Sequence, residues 1–282
     1  MHSRAKPHPD SGSEDSGMIR VCSAQIMSVW EDPDRTLAKA ESLIRYAADC
    51  SADIICFPEQ FATGWDPHSS KNIQGMEASI ISSLQRFARK SSIALLGSVR
   101  EATETGPRNT SVVIGNDGRI LTTYSKIHLF SPAKENEFFL PGTEPGVFPL
   151  GGLLCGVAIC YDLRFPELFR IYARMGVQVV FIPAAWPERR IHHWELFIRA
   201  RAAENQMYIV GINTTGTTPV DRYPGASMTA DPSGSIIQRG GEAEQLIFSD
   251  LYPSVVDETQ RTFPVGRDWR DDLFHSLQSS GH

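Results

Sequence analysis

No apolar run in these 282 residues is long enough to span a bilayer, so a membrane-spanning helix is excluded. Positive charge is not in excess: 27 Lys and Arg face 33 Asp and Glu, a formal net charge of −6. That balance argues against nucleic acid or an anionic membrane surface as partner. Neither a Gly-x-Gly-x-x-Gly after the first strand nor a Gly-x-x-x-x-Gly-Lys occurs, so a single doubly wound nucleotide-binding sheet would lack its phosphate loop. Cysteine is scarce and odd in number, with Cys22, Cys50, Cys56, Cys155 and Cys160 and no Cys-x-x-Cys pair. This excludes a disulfide framework and a thiolate zinc site and fits a reducing, cytoplasmic setting. His192-His193 followed by Glu195 lacks the His-Glu-x-x-His spacing and a third ligand, so no metal is expected.

What is present is ordinary for a globular chain: 41% hydrophobic and 21% charged residues. Residues 1–17 carry Ser, Pro, His and charge with no apolar stretch, and read as a disordered extension rather than a secretory signal. Residues 18–282 read as one domain. Ile19 to Ile26 predicts a buried strand, and Leu37, Ala40, Ile44 and Ala47 predict a helix over 34–49. A short strand over 53–57 stops at Pro58, a helix over 79–90 follows, and a strand over 93–99. Two strands flank Asn116-Asp117-Gly118, a hairpin signal, and 131–146 reads as loop. The second half repeats the order: strands at 147–149 and 153–159, helix 165–175, strand 177–183, helix 192–207, strand 208–213, then a hairpin about Asp231-Pro232-Ser233-Gly234. In the helix over 192–207, Leu196, Arg199, Ala203 and Met207 share a face. Residues 246–251 form the last strand, and the tail beyond Arg261 reads as irregular. Helices alternating with apolar strands imply helix-covered sheets, and two such halves stacked sheet on sheet give layers α-β-β-α.

Three reactive side chains fall just past strand ends: Glu59, Lys126 and Cys160. Each alone has a plain explanation, as a loop cap, a solvated lysine and a small core cysteine. Together they supply a base, a cation and a nucleophile for one reacting carbonyl. A thiol with a free pKa near ~8.5 needs such a base or positive field to ionise at neutral pH. Cys22, Cys56 and Cys155 alternate along strands and read as core.

Phe57-Pro58-Glu59, Lys126-Ile127-His128-Leu129-Phe130 and Cys160-Tyr161-Asp162-Leu163-Arg164-Phe165-Pro166-Glu167 resemble, in the same order, the three signatures of the nitrilase (carbon–nitrogen hydrolase) superfamily. The resemblance implies a four-layer α-β-β-α sandwich, no cofactor and a Glu-Lys-Cys triad. Glu59 would be the general base, Lys126 the oxyanion-stabilising cation and Cys160 the nucleophile, with the backbone N–H of Tyr161 as a second oxyanion donor. Glu135 best matches the family's second glutamate, with Glu137 as the alternative. Cys-Tyr-Asp in place of Cys-Trp-Glu, with Ala185-Trp186-Pro187 and His193-Trp194-Glu195-Leu196 downstream, resembles the ω-amidase-like branch. That branch hydrolyses short amides carrying a distal carboxylate, such as 2-oxoglutaramate. Arg164, Arg189 and Arg190 are the candidate carboxylate partners; Trp186 and Trp194 either line the pocket or fill the sheet–helix interface.

The alternatives are a nitrilase or N-carbamoyl hydrolase on the same fold, a Cys-His hydrolase pairing Cys160 with His128 or His192, and a catalytically silent binding protein. Pocket depth depends on the loops 63–75, 131–142 and 214–225. The resemblance also implies a homodimer using the helices after Cys160 and over 192–207, with Trp194, Phe197 and Ile198 as an apolar patch.

Overall fold

The computed structural model describes residues 17–270. The extension expected over 1–17 lies, but for Gly17, outside the described residues. Along strand β1 (Ile19–Gln25) every residue except Arg20 is buried, the mark of a strand covered on both faces. Helix α1 (Pro33–Asp49) starts with Pro33 in its first turn, and the Asp32 side chain accepts from Arg35 N–H, a capping arrangement. Strand β2 (Ile54–Cys56), helix α2 (Ser79–Ser91) and strands β3 (Ala94–Thr103), β4 (Gly106–Ile114) and β5 (Ile120–Ser125) complete the first half. A one-turn helix, α3 (Glu135–Phe138), interrupts the segment expected to be loop. The second half runs β6 (Gly146–Leu150), β7 (Leu153–Val157), α4 (Pro166–Arg174), β8 (Val179–Ala184), α5 (Ile191–Asn205) and β9 (Tyr208–Asn213). A small ribbon of β10 (Thr215–Thr217) and β11 (Arg222–Pro224) precedes β12 (Met228–Ala230), β13 (Ile236–Arg239), β14 (Gln245–Leu251) and α6 (Pro253–Thr262).

Two six-stranded sheets result, ordered β14-β1-β2-β3-β4-β5 and β13-β12-β9-β8-β7-β6. Each has three parallel strands at its heart, β1-β2-β3 and β7-β8-β9, with antiparallel neighbours on either side. Side chains alternate with period two along the first sheet. Cys22, Ala24, Ile55, Leu95 and Val112 pack under α1 and α2. Val21, Ile54, Cys56, Leu96 and Val113 join Phe148, Cys155, Val157 and Val179 of the second sheet in one continuous core. That core extends to Phe169 and Tyr172 of α4 and Trp194 and Ile198 of α5. The layers are therefore α-β-β-α, as the sequence predicts.

Three local readings are corrected and one element is added. The last strand, β14, belongs to the first sheet, pairing antiparallel with β1 from Ile19↔Leu251 to Gln25↔Gln245; without it the buried β1 would present an unpaired edge. Residues 253–262 are helical, although Val256 is the only buried side chain of α6 and leaves almost no periodic signal. On α5 the face bearing Leu196, Arg199 and Ala203 points outward, and Met207 lies beyond the helix. The buried stripe is Trp194, Ile198, Arg201, Ala202 and Asn205, because the Arg201 guanidinium is used inside, donating to the carbonyls of Leu163 (3.1 Å) and Arg164 (2.9 Å). Trp194 and Ile198 are fully buried and cannot form the expected surface patch. Among the described residues no helix is long and apolar enough to cross a membrane.

Candidate active site

Lys126 follows β5 directly, and its N–H continues the ladder by donating to the carbonyl of Asn109 on β4 (2.8 Å). Two side chains thus leave neighbouring strands side by side on one face. Glu59 follows β2. Phe57 N–H still pairs with Leu96 (2.8 Å), and Pro58 then ends the ladder. The turn behind Glu59 is fixed by a buried arginine: Arg100 donates to Gln60 Oε1 (2.9 Å), Glu31 Oε1 (2.8 Å) and the carbonyl of Gly64 (2.7 Å).

Cys160 lies three residues past β7, at the start of a tight turn over Cys160–Arg164 that runs into α4 at Pro166. Its φ is +44°, left-handed backbone that a non-glycine residue adopts only when its surroundings hold it there. The holding group is Asp162, fully buried, whose Oδ2 accepts from Ile159 N–H (2.9 Å) and the Tyr124 hydroxyl (2.7 Å). Its Oδ1 takes the His128 N–H and ring Nδ1, both at 2.8 Å. One carboxylate therefore ties the cysteine turn to the segment carrying Lys126.

The structure brings Glu59, Lys126, Glu135 and Cys160 together. Lys126 Nζ donates to Glu59 Oε1 (2.8 Å) and Glu135 Oε2 (2.9 Å), with all three side chains essentially inaccessible. Asn109 Nδ2 bridges the same two carboxylates, at 2.7 Å to Glu59 and 3.0 Å to Glu135. Glu59 Oε2 accepts from Ala185 N–H (3.1 Å), and Glu59 and Cys160 lie close enough for each to act on the other's charge. Phe130 N–H fixes Glu135 from the other side (2.7 Å). Glu137 is exposed and faces Lys134 (3.4 Å), so of the two candidates only Glu135 joins the cluster.

Burial pushes Glu59 above the usual carboxylate range; the Lys126 charge opposes this and the Glu135 charge adds to it. Burial alone would lower Lys126, but Glu135 and Glu59 outweigh it and hold the ammonium charged. Burial, with the Glu59 charge, raises the Cys160 thiol well above its ordinary value. The resting cluster is thus a neutral thiol beside a carboxylate of raised basicity.

A small cavity opens onto Cys160 and Lys126. Tyr161, Arg164, Trp186, Arg190 and Phe130 line it, together with Trp65, Ala133 and Tyr223 from the three loops expected to set its depth. His128 and His192 do not line it. His128 is stacked on Phe165 at a 3.7 Å centroid distance and bound to Asp162, which leaves the Cys-His pairing without support. Arg189 is bound by Asp221 (2.8 Å). Arg164 sits over Trp186 (4.8 Å) and Arg190 over Phe130 (5.0 Å), and neither has an ion-pair partner among the described residues. Burial foremost, and also the Arg190 charge, holds Arg164 below its ordinary value. Trp194 fills the helix–sheet interface, its Nε1 donating to Ala226 (2.8 Å). Glu195 is paired with Arg239 (2.7 Å), and no cluster of metal-ligating side chains occurs among the described residues.

Sequence reading missed Asn109, Asp162 and Ala185. Asp162 stood inside a recognised motif; Asn109 had no local signal except its register opposite Lys126.

The family model for carbon-nitrogen hydrolases matches residues 20–261. The chain is 33% identical over 244 residues to the 2-oxoglutaramate amidase of Bacillus subtilis, covering 86% of this chain and 94% of that one. It is also 33% identical to the omega-amidase NIT2 of Mus musculus, covering 91% and 96%. A CN-hydrolase superfamily protein of Xanthomonas campestris, whose crystal structure carries an arsenic adduct in the active site, superposes with a TM-score of 0.85 at 26% identity, covering 90% and 97%.

Proposed function

This chain belongs to the carbon–nitrogen hydrolase family, and from that premise we propose that it hydrolyses a short carboxamide bearing a distal carboxylate, of which 2-oxoglutaramate is the model. Acid and ammonia are released through a thioester on Cys160. The observation that carries the reading is the buried Glu59–Lys126–Glu135 cluster beside the Cys160 thiol, on a cavity that Lys126 and Cys160 both line.

Glu59 takes the Cys160 proton as sulfur attacks the amide carbon. The carbonyl electron pair moves onto oxygen, where the Lys126 ammonium and the Tyr161 N–H receive it; one such donor is worth about 10²–10³ in rate. The C–N bond breaks as Glu59 returns the proton to nitrogen, and ammonia leaves a thioester. Glu59 next deprotonates water, hydroxide adds to the thioester carbon, and collapse frees the acid and restores the thiol. Glu135, held by Lys126 and Phe130, orients the amide nitrogen. No step calls for a cofactor.

Arg164 and Arg190 support the carboxylate. Two guanidiniums without protein counter-ions beside one small cavity form a site that an anion would neutralise, and Trp186 and Phe130 hold their planes. The free state of all five cysteines supports a reducing, cytoplasmic location. The homodimer expected of the family would use the outward face of α5, where Leu196 is 58% exposed.

The test is ammonia release across 2-oxoglutaramate, a neutral amide of equal length, a nitrile and an N-carbamoyl amine. The carboxylate-bearing amide should be the fastest, and Cys160→Ala should abolish turnover. Faster cleavage of the nitrile or carbamoyl compound would reassign the substrate, and turnover by Cys160→Ala would overturn the mechanism.

A further inference from the structure

Two buried carboxylates sharing one cation leave an unbalanced negative charge. Lys126 Nζ supplies one donor to each, and among the described residues the only other side chain that donates to both is Asn109, itself fully buried. Its orientation is settled by chemistry: an amide oxygen turned toward Glu59 and Glu135 would face two acceptors, so the NH₂ points inward and each of its protons has a carboxylate. The cost is visible, because Asn109 Oδ1 is buried without a hydrogen-bond partner. A buried unpartnered oxygen calls for an explanation, and the two carboxylates held by the other end of this amide supply one.

Glu59 Oε1 accepts from both Lys126 and Asn109, while Oε2 accepts from the Ala185 N–H. We propose that Asn109 is a positioning residue of the hydrolytic site. Its amide saturates one oxygen of Glu59, leaving the other to exchange protons with Cys160 and the leaving nitrogen, and it holds Glu59 and Glu135 side by side. The backbone enforces this, since the Asn109 carbonyl accepts the Lys126 N–H (2.8 Å) and amide and ammonium move as one unit. The inference rests on the amidase reading for its catalytic consequence, but not for its effect on the thiol.

Asn109→Leu keeps the shape and removes both donors; Asn109→Asp keeps the shape and adds a third acid. Removing hydrogen bonds to a carboxylate raises its pKa, and activity requires ionised Glu59. The acid limb of kcat/KM should therefore move to higher pH in Asn109→Leu and further in Asn109→Asp. At neutral pH kcat should fall about 10–100-fold, with KM changed far less. A role in packing alone would leave the limb in place. The pH profile of Cys160 alkylation by iodoacetamide, which needs no substrate, should shift in the same order. If that profile shifts while the wild type cleaves no amide, the amidase reading fails and Asn109 stands. If the wild type cleaves amides and neither profile moves, Asn109 falls. Should either variant fail to fold, Asn109→Ser carries the same test, since its shorter side chain cannot bridge both acids.

Discussion

Lys126 is the residue on which the buried charges balance. Burying an ammonium is unfavourable, and here it is tolerated because two carboxylates, each within 2.9 Å, sit on its flanks. Lys126→Met should therefore do more than stop catalysis. It strands two acids in a dry site, at a cost of about 3–5 kcal/mol at pH 7. The sign of the pH dependence follows. Burial already raises the folded-state pKa of Glu59, and losing the Lys126 charge that opposes this raises it further, so the deficit grows as pH rises beyond the ordinary carboxylate range. It shrinks toward acid pH, where Glu59 folds neutral. Thermal unfolding of wild type and variant across pH 4–8 measures this; a deficit independent of pH would count against the charge balance.

Among elements, the turn after β7 and the segment after β5 are one device, clasped by Asp162. Asparagine there would offer a single acceptor oxygen and turn its NH₂ against a donor, either Ile159 N–H or His128 N–H. Asp162→Asn should lower kcat/KM by about 10–100-fold, and Tyr124→Phe, which loses one hydroxyl donor, should do less. Steady-state rates beside melting temperatures would test the clasp, and unaltered rates in Asp162→Asn would discard it. At this scale the sequence was readable where side chains repeat and opaque where register decides. Helices α1 and α2 announce their buried faces through Leu37, Ala40, Ile44 and Ile80, Leu84, Phe87. The stripe of α5 contains a buried arginine and deceives the same rule. Glu59, Lys126 and Cys160 are legible as reactive groups past strand ends. Asn109 is not, because a bulge between Val113 and Ile114 shifts the β4–β5 pairing by one. Counting outward from Ile114↔Ile120 puts Arg108 opposite Lys126, whereas the shifted register of Thr110↔Ser125 puts Asn109 there.

As a whole molecule, the protein is two sheets of the same plan with the reaction centre on the seam. Glu59, Asn109 and Lys126 belong to the first sheet and Cys160 to the second. Their alignment depends on the layer where Leu96, Cys56 and Val113 meet Phe148, Val157 and Val179. Leu96→Ala should lower stability by about 2–5 kcal/mol, measured as a shift in the denaturant midpoint; a change below 1 kcal/mol would mean that the seam is loosely packed. The first sheet is closed by residues 245–251, and that has a bearing on how the protein is made. The reacting groups and the two cavity guanidiniums have all been synthesised by Arg190, yet until those seven residues leave the ribosome the backbone of β1 offers its free edge to any passing strand. A late-made strand thus guards an early-made one, and the newborn polypeptide stays open to mispairing until the two meet.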